Sequence, residues 1–340
     1  MTDRKCAIAV PSYSDLGIKG PYFGDLVHDQ LEMSHPGVFE KIYMVVKPAG
    51  DSSEEVVFSE HAREREVYVM HPCITNAAQH VMVAAETSDN LHRSDAHRVI
   101  LFDLYNRYFS YDKRKMKQSL NAKLVADIYQ GAHVDRVFTV DPHSSELVGF
   151  FSEDCPLEPL PMAGPLGDYF RQRHELSNVT VCSPDVGGYP RAERFARSLG
   201  LPLVGVRKSR SEDVSDKTEA LEIVGDRRYI EGKTILFRDD VIRSGGSLEE
   251  AAGLLRDAGA NDFYAAVTHL ELCGDAVGRL KKSGIKVVGT NTIPHTFEGD
   301  DAMYFDVMDI SGIIAEVVRR RSQGLSIGQF FRYSETGGRH

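Results

Sequence analysis

ILFRDDVIRSGGSLEEAAGLL, residues 235–255, is the stretch on which the fold turns. An apolar, β-prone run over 234–238 ends against two adjacent acids, Asp239 and Asp240. A short loop follows, Arg243-Ser244-Gly245-Gly246-Ser247, and then Leu248, Ala251, Ala252, Leu254 and Leu255 recur at helical spacing. The pattern predicts a strand, a tight glycine loop and a helix over 247–259, with Gly259 as its C-cap. Glycines let backbone amides approach an anion, and a helix N-terminus adds unpaired N–H groups and partial positive charge. Ser244 and Ser247 add hydroxyl donors, while Asp239 and Asp240 can accept from sugar hydroxyls or hold a hydrated metal. A polyol with an anion at one end, such as a ribose phosphate, suits that pairing. The alternative is a plain loop with a serine cap and solvated acids.

The same alternation extends along the chain. Further strands are predicted at 6–10, 41–46, 66–71, 98–103, 136–141, 179–183, 203–207, 262–268 and 285–290. Helices are expected between them, including 120–131 with Leu120, Leu124, Val125 and Ile128 on the apolar face. Strands alternating with helices predict an α/β protein whose mainly parallel sheets are flanked by helices. The proline-rich stretch 152–167, with Pro156, Pro159, Pro161 and Pro165, is the expected boundary between two halves. The domains expected are 1–152 and 153–308, with 309–333 as a C-terminal helix and closing segment and 334–340 as a polar tail.

Composition narrows the function classes. The 340 residues are 42% hydrophobic and 26% charged, which excludes disordered and collagen-like chains. No apolar run approaches a membrane span, and 1–15 lacks the apolar core of a secretory signal. The five cysteines, Cys6, Cys73, Cys155, Cys182 and Cys273, form no C-x-x-C pair, so reduced, buried thiols in a cytoplasmic protein are expected. A net charge of −10 argues against nucleic acid as a partner.

Several segments, in order, resemble the phosphoribosyl-diphosphate (PRPP) synthetase family. The 235–255 stretch is similar to the PRPP-binding signature, shared also with type I phosphoribosyltransferases. VDRVFTVDPHSSELVGFF, 134–151, resembles the synthetase strand that ends in a metal-binding histidine, placing His143 as a magnesium ligand with Asp141 close by. VCSPDVGGYPRAERFARSLG, 181–200, resembles the diphosphate loop. There Asp185 would bind magnesium or ribose, and Asp185-Val186-Gly187-Gly188 would wrap the diphosphate. GVRKSRSEDVSD, 205–216, resembles the family's mobile catalytic loop, with Lys208 and Arg210 as the Lys-x-Arg pair that closes over the reacting phosphates. CITN at 73–76, SLNAKLVADI at 119–128 and DISGIIAEVVRRRSQGLSIGQFF at 309–331 extend the likeness nearly end to end.

The resemblance implies two tandem phosphoribosyltransferase-like, Rossmann-like domains. It implies magnesium- and ATP-dependent transfer of the β,γ-diphosphate of ATP to the 1-hydroxyl of ribose 5-phosphate. Its partners would be ATP, a ribose phosphate and further copies of the chain in a dimer or hexamer, with neither nucleic acid nor membrane. Asp239 and Asp240 would orient the ribose, and Arg243, Ser244, Gly245, Gly246 and Ser247 would hold its 5-phosphate.

Three departures stand out. Arg243 replaces the third acid of the ribose-phosphate loop and Ser244 its threonine. The reversed charge either strengthens anion binding, admits a bulkier 5-substituent such as that of ADP-ribose, or points to solvent. The nearest equivalent of the adenine loop, 50–54, lacks its aromatic residue, so Asp51 and Glu54 either read the adenine amino group or form a charged hairpin tip. The Tyr-x-Arg-Gln-Asp stretch appears as Tyr105-Asn106-Arg107-Tyr108 before Asp112-Lys113-Arg114. Arg107 is then the triphosphate contact, with Lys113 or Arg114 as alternatives, and Tyr108 a replacement for the missing stacking. A non-catalytic, synthetase-like regulatory subunit and a phosphoribosyltransferase that consumes PRPP, which the two α/β halves disfavour, are the remaining alternatives.

Overall fold

The computed structural model describes residues 5–13, 22–51, 53–58, 60–114, 116–210 and 219–328, the side chains of Pro48, Ser209, Arg210, Glu219 and Ala220 excepted. The chain divides into two compact units, one formed by 1–160, 292–294 and 309–330, the other by 161–291, 295–308 and 331–340.

In the first unit β1 (Cys6–Tyr13) leads to α1 (Phe23–Ser34), then to β2 (Phe39–Pro48) and β3 (Glu54–Phe58). After β4 (Glu66–His71) come α2 (Ala77–Arg93), β5 (Arg98–Asp103), α3 (Asn121–Gly131), β6 (Arg136–Val140) and β7 (Leu157–Leu160). The strands form one sheet in the order β3-β2-β1-β4-β5-β6-β7. Only β3 runs antiparallel to its neighbour, returning along β2 from Pro48 opposite Glu54 to Met44 opposite Phe58. The central strands are buried on both faces (β4 along its whole length) because helices cover the sheet, which is why they read as continuous apolar runs.

The second unit repeats that plan. α4 (Ala163–Arg171), β8 (Val179–Ser183), α5 (Tyr189–Leu199), β9 (Leu203–Arg210) and β10 (Glu219–Val224) come first. β11 (Thr234–Ile242), α6 (Gly246–Asp257), β12 (Asp262–Leu270), α7 (Ala276–Lys282), β13 (Ile285–Thr290) and β14 (Phe305–Met308) complete it. The order β10-β9-β8-β11-β12-β13-β14 again has one antiparallel edge, β9 with β10. The last helix, α8 (Ser311–Ser322), belongs to the first unit and packs on α1.

Each unit has its own core. Val27, Leu31, Ile42, Val69, Leu101 and Val137 are among the buried side chains of the first. Phe237, Leu248, Leu255, Val267, Leu280 and Ile285 pack together in the second. Each such side chain contributes about 1.5–3 kcal/mol relative to exposure.

The differences from the sequence reading have physical causes. β7 and the start of α4 lie inside the stretch 152–167 read as a boundary. Pro159 is tolerated there because β7 is an edge strand, paired only with β6. β11 runs on through Asp239 and Asp240 to Ile242, so the acids stand within the strand. α6 is capped by Ala258, and Gly259 is the next residue, at φ +93°. In α3 the buried face is Ala122, Val125, Ala126 and Tyr129, leaving Leu124 54% exposed on the opposite side. None of the five cysteines is in a disulfide; four are buried, but Cys273 is exposed. The tail 334–340 lies outside the described residues.

Candidate functional site

In the second unit, the C-terminal ends of β8 and β11 bring chemistry together. β8 ends at Ser183, whose hydroxyl donates to the Asp185 carbonyl at 2.7 Å and folds the chain into a tight bend. The Asp185 carboxylate accepts the Gly188 amide at 2.7 Å, and α5 begins there. A Cβ on Gly188 would stand 3.1 Å from Ser183 Oγ and 3.9 Å from Asp239 Oδ1, so this bend and the acids of β11 are near neighbours. Val186 is exposed at its tip.

Asp239 Oδ1 accepts the amide of Asp240 at 2.8 Å. Arg191, on the first turn of α5, places Nη1 3.1 Å from Asp240 Oδ1 and 3.6 Å from Asp239 Oδ1. Burial, then the charge and hydrogen bonding of Asp240 and the charge of Asp185, push the Asp239 carboxyl well above the usual carboxylate range, against the pull of Arg191. The acid pair therefore shares its charge with one arginine. Behind it Arg238 is fully buried, donating to the carbonyl of Asp239, to that of Ala266 at 3.3 Å and to Thr268 Oγ1 at 3.1 Å.

The loop after β11 closes on Gly245, at φ +74°, a conformation that costs a residue with a Cβ about 1–2 kcal/mol. A Cβ there would also lie 3.3 Å from Leu280. α6 starts without a side-chain cap, and Ser244 and Ser247 are exposed at its N-terminus. Its first amides thus have no helical partner. Arg243 Nε donates to Glu271 Oε2 at 3.0 Å, and Cys273 N donates to the Arg243 carbonyl at 2.8 Å. Its guanidinium is thereby engaged by a nearly buried acid just past β12.

Lys208 and Arg210 stand in β9, opposite Leu221 and Glu219 of β10, where the sequence suggested a loop; residues 211–216 of that loop lie outside the described residues. Lys208 Nζ is 3.5 Å from Glu250 Oε2, in the second turn of α6. The structure so brings Lys208 to the helix that carries Ser244–Ser247.

In the first unit, His143 is exposed just past β6, two residues after Asp141, which has φ +36°. Asp51 is at the tip of the β2–β3 hairpin, where hydrogen bonds from Ser53 hold its carboxyl below the usual range. Burial raises the Glu54 carboxyl at the start of β3. Arg107 and Tyr108 open a 3₁₀ turn, Arg107–Ser110. Arg107 Nη1 donates to the Thr75 carbonyl at 2.6 Å, and the Tyr108 ring packs partly on the first core. Lys113 and Arg114 are exposed beyond it. Among the described residues no group of three or more His, Cys, Asp or Glu side chains is arranged to hold a metal ion.

Arg191, Glu271, Glu250 and Arg238 escaped the sequence reading. Arg191 alone left a signal: a cation in the first turn of a helix opposes the helix dipole, which favours anions there, and so asks for a nearby acid.

Residues 181–332 match the family model of the phosphoribosyl synthetase-associated domain, and 23–132 that of the N-terminal domain of ribose phosphate pyrophosphokinase. The chain is 36% identical over 283 residues to a ribose-phosphate pyrophosphokinase of Aquifex aeolicus, covering 83% of this chain and 88% of that one. It is 34% identical over 291 residues to one of Neisseria meningitidis, covering 84% and 86%. The crystal structure of phosphoribosylpyrophosphate synthetase from Mycobacterium smegmatis superposes with a TM-score of 0.80 at 28% identity, covering 94% of this chain and all of that one (100%).

Proposed function

The chain belongs to the ribose-phosphate pyrophosphokinase family, and from that premise we propose that it transfers the β,γ-diphosphate of ATP to O1 of ribose 5-phosphate, giving PRPP and AMP. The observation that carries the reading is the acid pair within β11, Asp239 and Asp240, bridged by Arg191 and followed by the helix start at Gly245, where the N-cap has no side chain to offer. Carboxylates suit a polyol, and a helix N-terminus, its first amide donating to Ser244 Oγ at 3.4 Å, suits an anion within one short stretch.

Asp239 and Asp240 orient the ribose hydroxyls, and Ser244 to Ser247 hold the 5-phosphate. Gly187 and Gly188 let backbone amides approach the diphosphate, beside Asp185. The O1–Pβ bond forms as the bond from Pβ to the α,β-bridging oxygen breaks, AMP leaves with that oxygen, and the O1 proton is released to solvent. Lys208 and Arg210 neutralise charge on that oxygen; alignment and neutralisation are most of what such a transfer asks of a protein. Arg107, Tyr108, Asp51 and Glu54 are assigned to the nucleotide.

Magnesium, when bound, screens the phosphate charges and fixes their geometry. His143, in the first unit, and Asp185, in the second, are each assigned as a protein ligand for it. Such an ion keeps water and substrate phosphates in its shell and takes only one or two protein groups. We assign a homo-oligomer, dimer or hexamer, as the working assembly, which sedimentation velocity measures. A cytoplasmic setting is supported by five cysteines that form no disulfide.

The Glu271 carboxylate offsets the Arg243 charge, which removes the main reason to expect a bulkier acceptor. The test is an acceptor screen with magnesium and ATP, read by AMP release and product mass. Ribose 5-phosphate is expected to be preferred over ADP-ribose; no AMP with any ribose acceptor would leave a non-catalytic subunit.

A further inference from the structure

β5 ends in Asp103, whose side chain is fully buried in the first unit. Leaving a carboxylate there without partners would cost several kcal/mol. Its Oδ1 lies 2.8 Å from Nε2 of His80, at the end of the first turn of α2. Its Oδ2 accepts the Tyr129 hydroxyl of α3 at 2.8 Å and Asn106 Nδ2 at 2.8 Å. One carboxylate thus gathers α2, α3 and the turn that follows β5. Burial favours the neutral acid, but the charge and hydrogen bond of His80 outweigh it and bring the carboxyl to about 2. His71 packs against His80 with the rings tilted by 41° and their centroids 4.2 Å apart, and donates Nε2–H to the His80 carbonyl at 2.8 Å, fixing the same turn of helix.

Two arms of this cluster reach the nucleotide residues. Asn106 Oδ1 accepts the Tyr108 amide at 3.0 Å, which starts the turn carrying Arg107 and Tyr108. Arg107 in turn donates to the carbonyl of Thr75, in the loop that leads into α2 and its His80. The buried carboxylate therefore fixes both the turn that presents Arg107 and the segment against which the guanidinium rests.

We propose that Asp103, with His80, Asn106 and Tyr129, is a positioning cluster for ATP recognition: it touches no substrate but sets where Arg107 stands, and so the KM for ATP. The inference rests on the assignment of Arg107 to the nucleotide.

The test is steady-state kinetics of the full chain with Asp103→Asn, Arg107→Ala and both together, varying ATP and ribose 5-phosphate separately. Asp103→Asn is expected to raise the KM for ATP about tenfold, within the range of couplings between contacting groups, and to leave that for ribose 5-phosphate within about twofold. The double variant is expected to match Arg107→Ala alone, because the cluster acts through that side chain. Effects of the two substitutions that multiply, or equal changes in both KM values, overturn the proposal while leaving Arg107 in place. An unchanged KM for ATP in Arg107→Ala removes the assignment itself and the proposal with it. Should Asp103→Asn fail to fold, Tyr129→Phe removes one donor and keeps the charge; the same cycle is then expected with an effect of about threefold.

Discussion

Two helix starts occupy equivalent places in the two sheets: α2 follows β4, and α6 follows β11, each strand lying next to the first of its sheet. At α2 the Asn76 side chain accepts the Gln79 amide at 3.0 Å, and the strand end beside it is sealed by His71, His80 and Asp103. At α6 the N-cap is Gly245, in the left-handed region and without a side chain, only the first amide meets a hydroxyl (Gly246 N to Ser244 Oγ, 3.4 Å), and β11 carries Asp239 and Asp240. One topology therefore serves two purposes. Where the helix satisfies its own amides, the polar groups turn inward and set geometry; where it leaves them open, they are offered to a ligand.

The largest expected effect probes the open start. Lys208→Ala should lower kcat by about 10²–10³, the range seen when one transition-state donor is lost, with the thermal melt unchanged. A near-normal kcat would detach β9 from the chemistry of α6.

Next comes the sealed start, through pH. Burial and the neighbouring His80 push the His71 imidazole down from 6.5 to about 3. The folded chain then binds fewer protons than the unfolded one, so this contribution is whole above pH 6.5 and drains as pH falls toward 3. Denaturant unfolding should show a slope approaching 1.4 kcal/mol per pH unit in that window, flattened in His71→Asn. An equal slope in both proteins would place the acid lability elsewhere.

Smaller effects sharpen the contrast. Gly245→Ala should cost about 1–2 kcal/mol of stability and raise the KM for ribose 5-phosphate, whereas Asn76→Ala should cost about 1 kcal/mol and leave that KM alone. The smallest shift is expected from Glu271→Gln, which releases the Arg243 charge toward the ribose-phosphate loop and should lower the KM for ribose 5-phosphate about twofold to threefold. A rise instead would mean that the ion pair holds the loop in shape.

The strands at the centre of both sheets were legible because burial on two faces favours mainly apolar, β-branched and aromatic runs, as in β4 and β8. Edge strands were not: β3 and β7 carry acids and prolines, since one side of each has no partner strand. At the site, Asp239, Asp240 and the glycine loop announce themselves because their order along the chain is their chemistry. Arg191 pairs with Asp240 across 49 residues and Arg243 with Glu271 across 28, and no local pattern links such partners. The Asp103 cluster was equally silent, because His80, Asn106 and Tyr129 read singly as ordinary helix and turn residues.

The return of α8 to the first unit has a consequence for biosynthesis. The apolar faces of α1 (Phe23, Val27, Leu31) and α8 (Ile314, Val317, Val318) are buried in the same unit, yet they leave the ribosome almost a whole chain length apart. At about 5–20 residues per second, the early helix waits many seconds for its mate. A nascent or prematurely terminated polypeptide that stops before α8 therefore leaves α1 without the helix it packs on, and chaperones have a ready means of telling unfinished copies from finished ones.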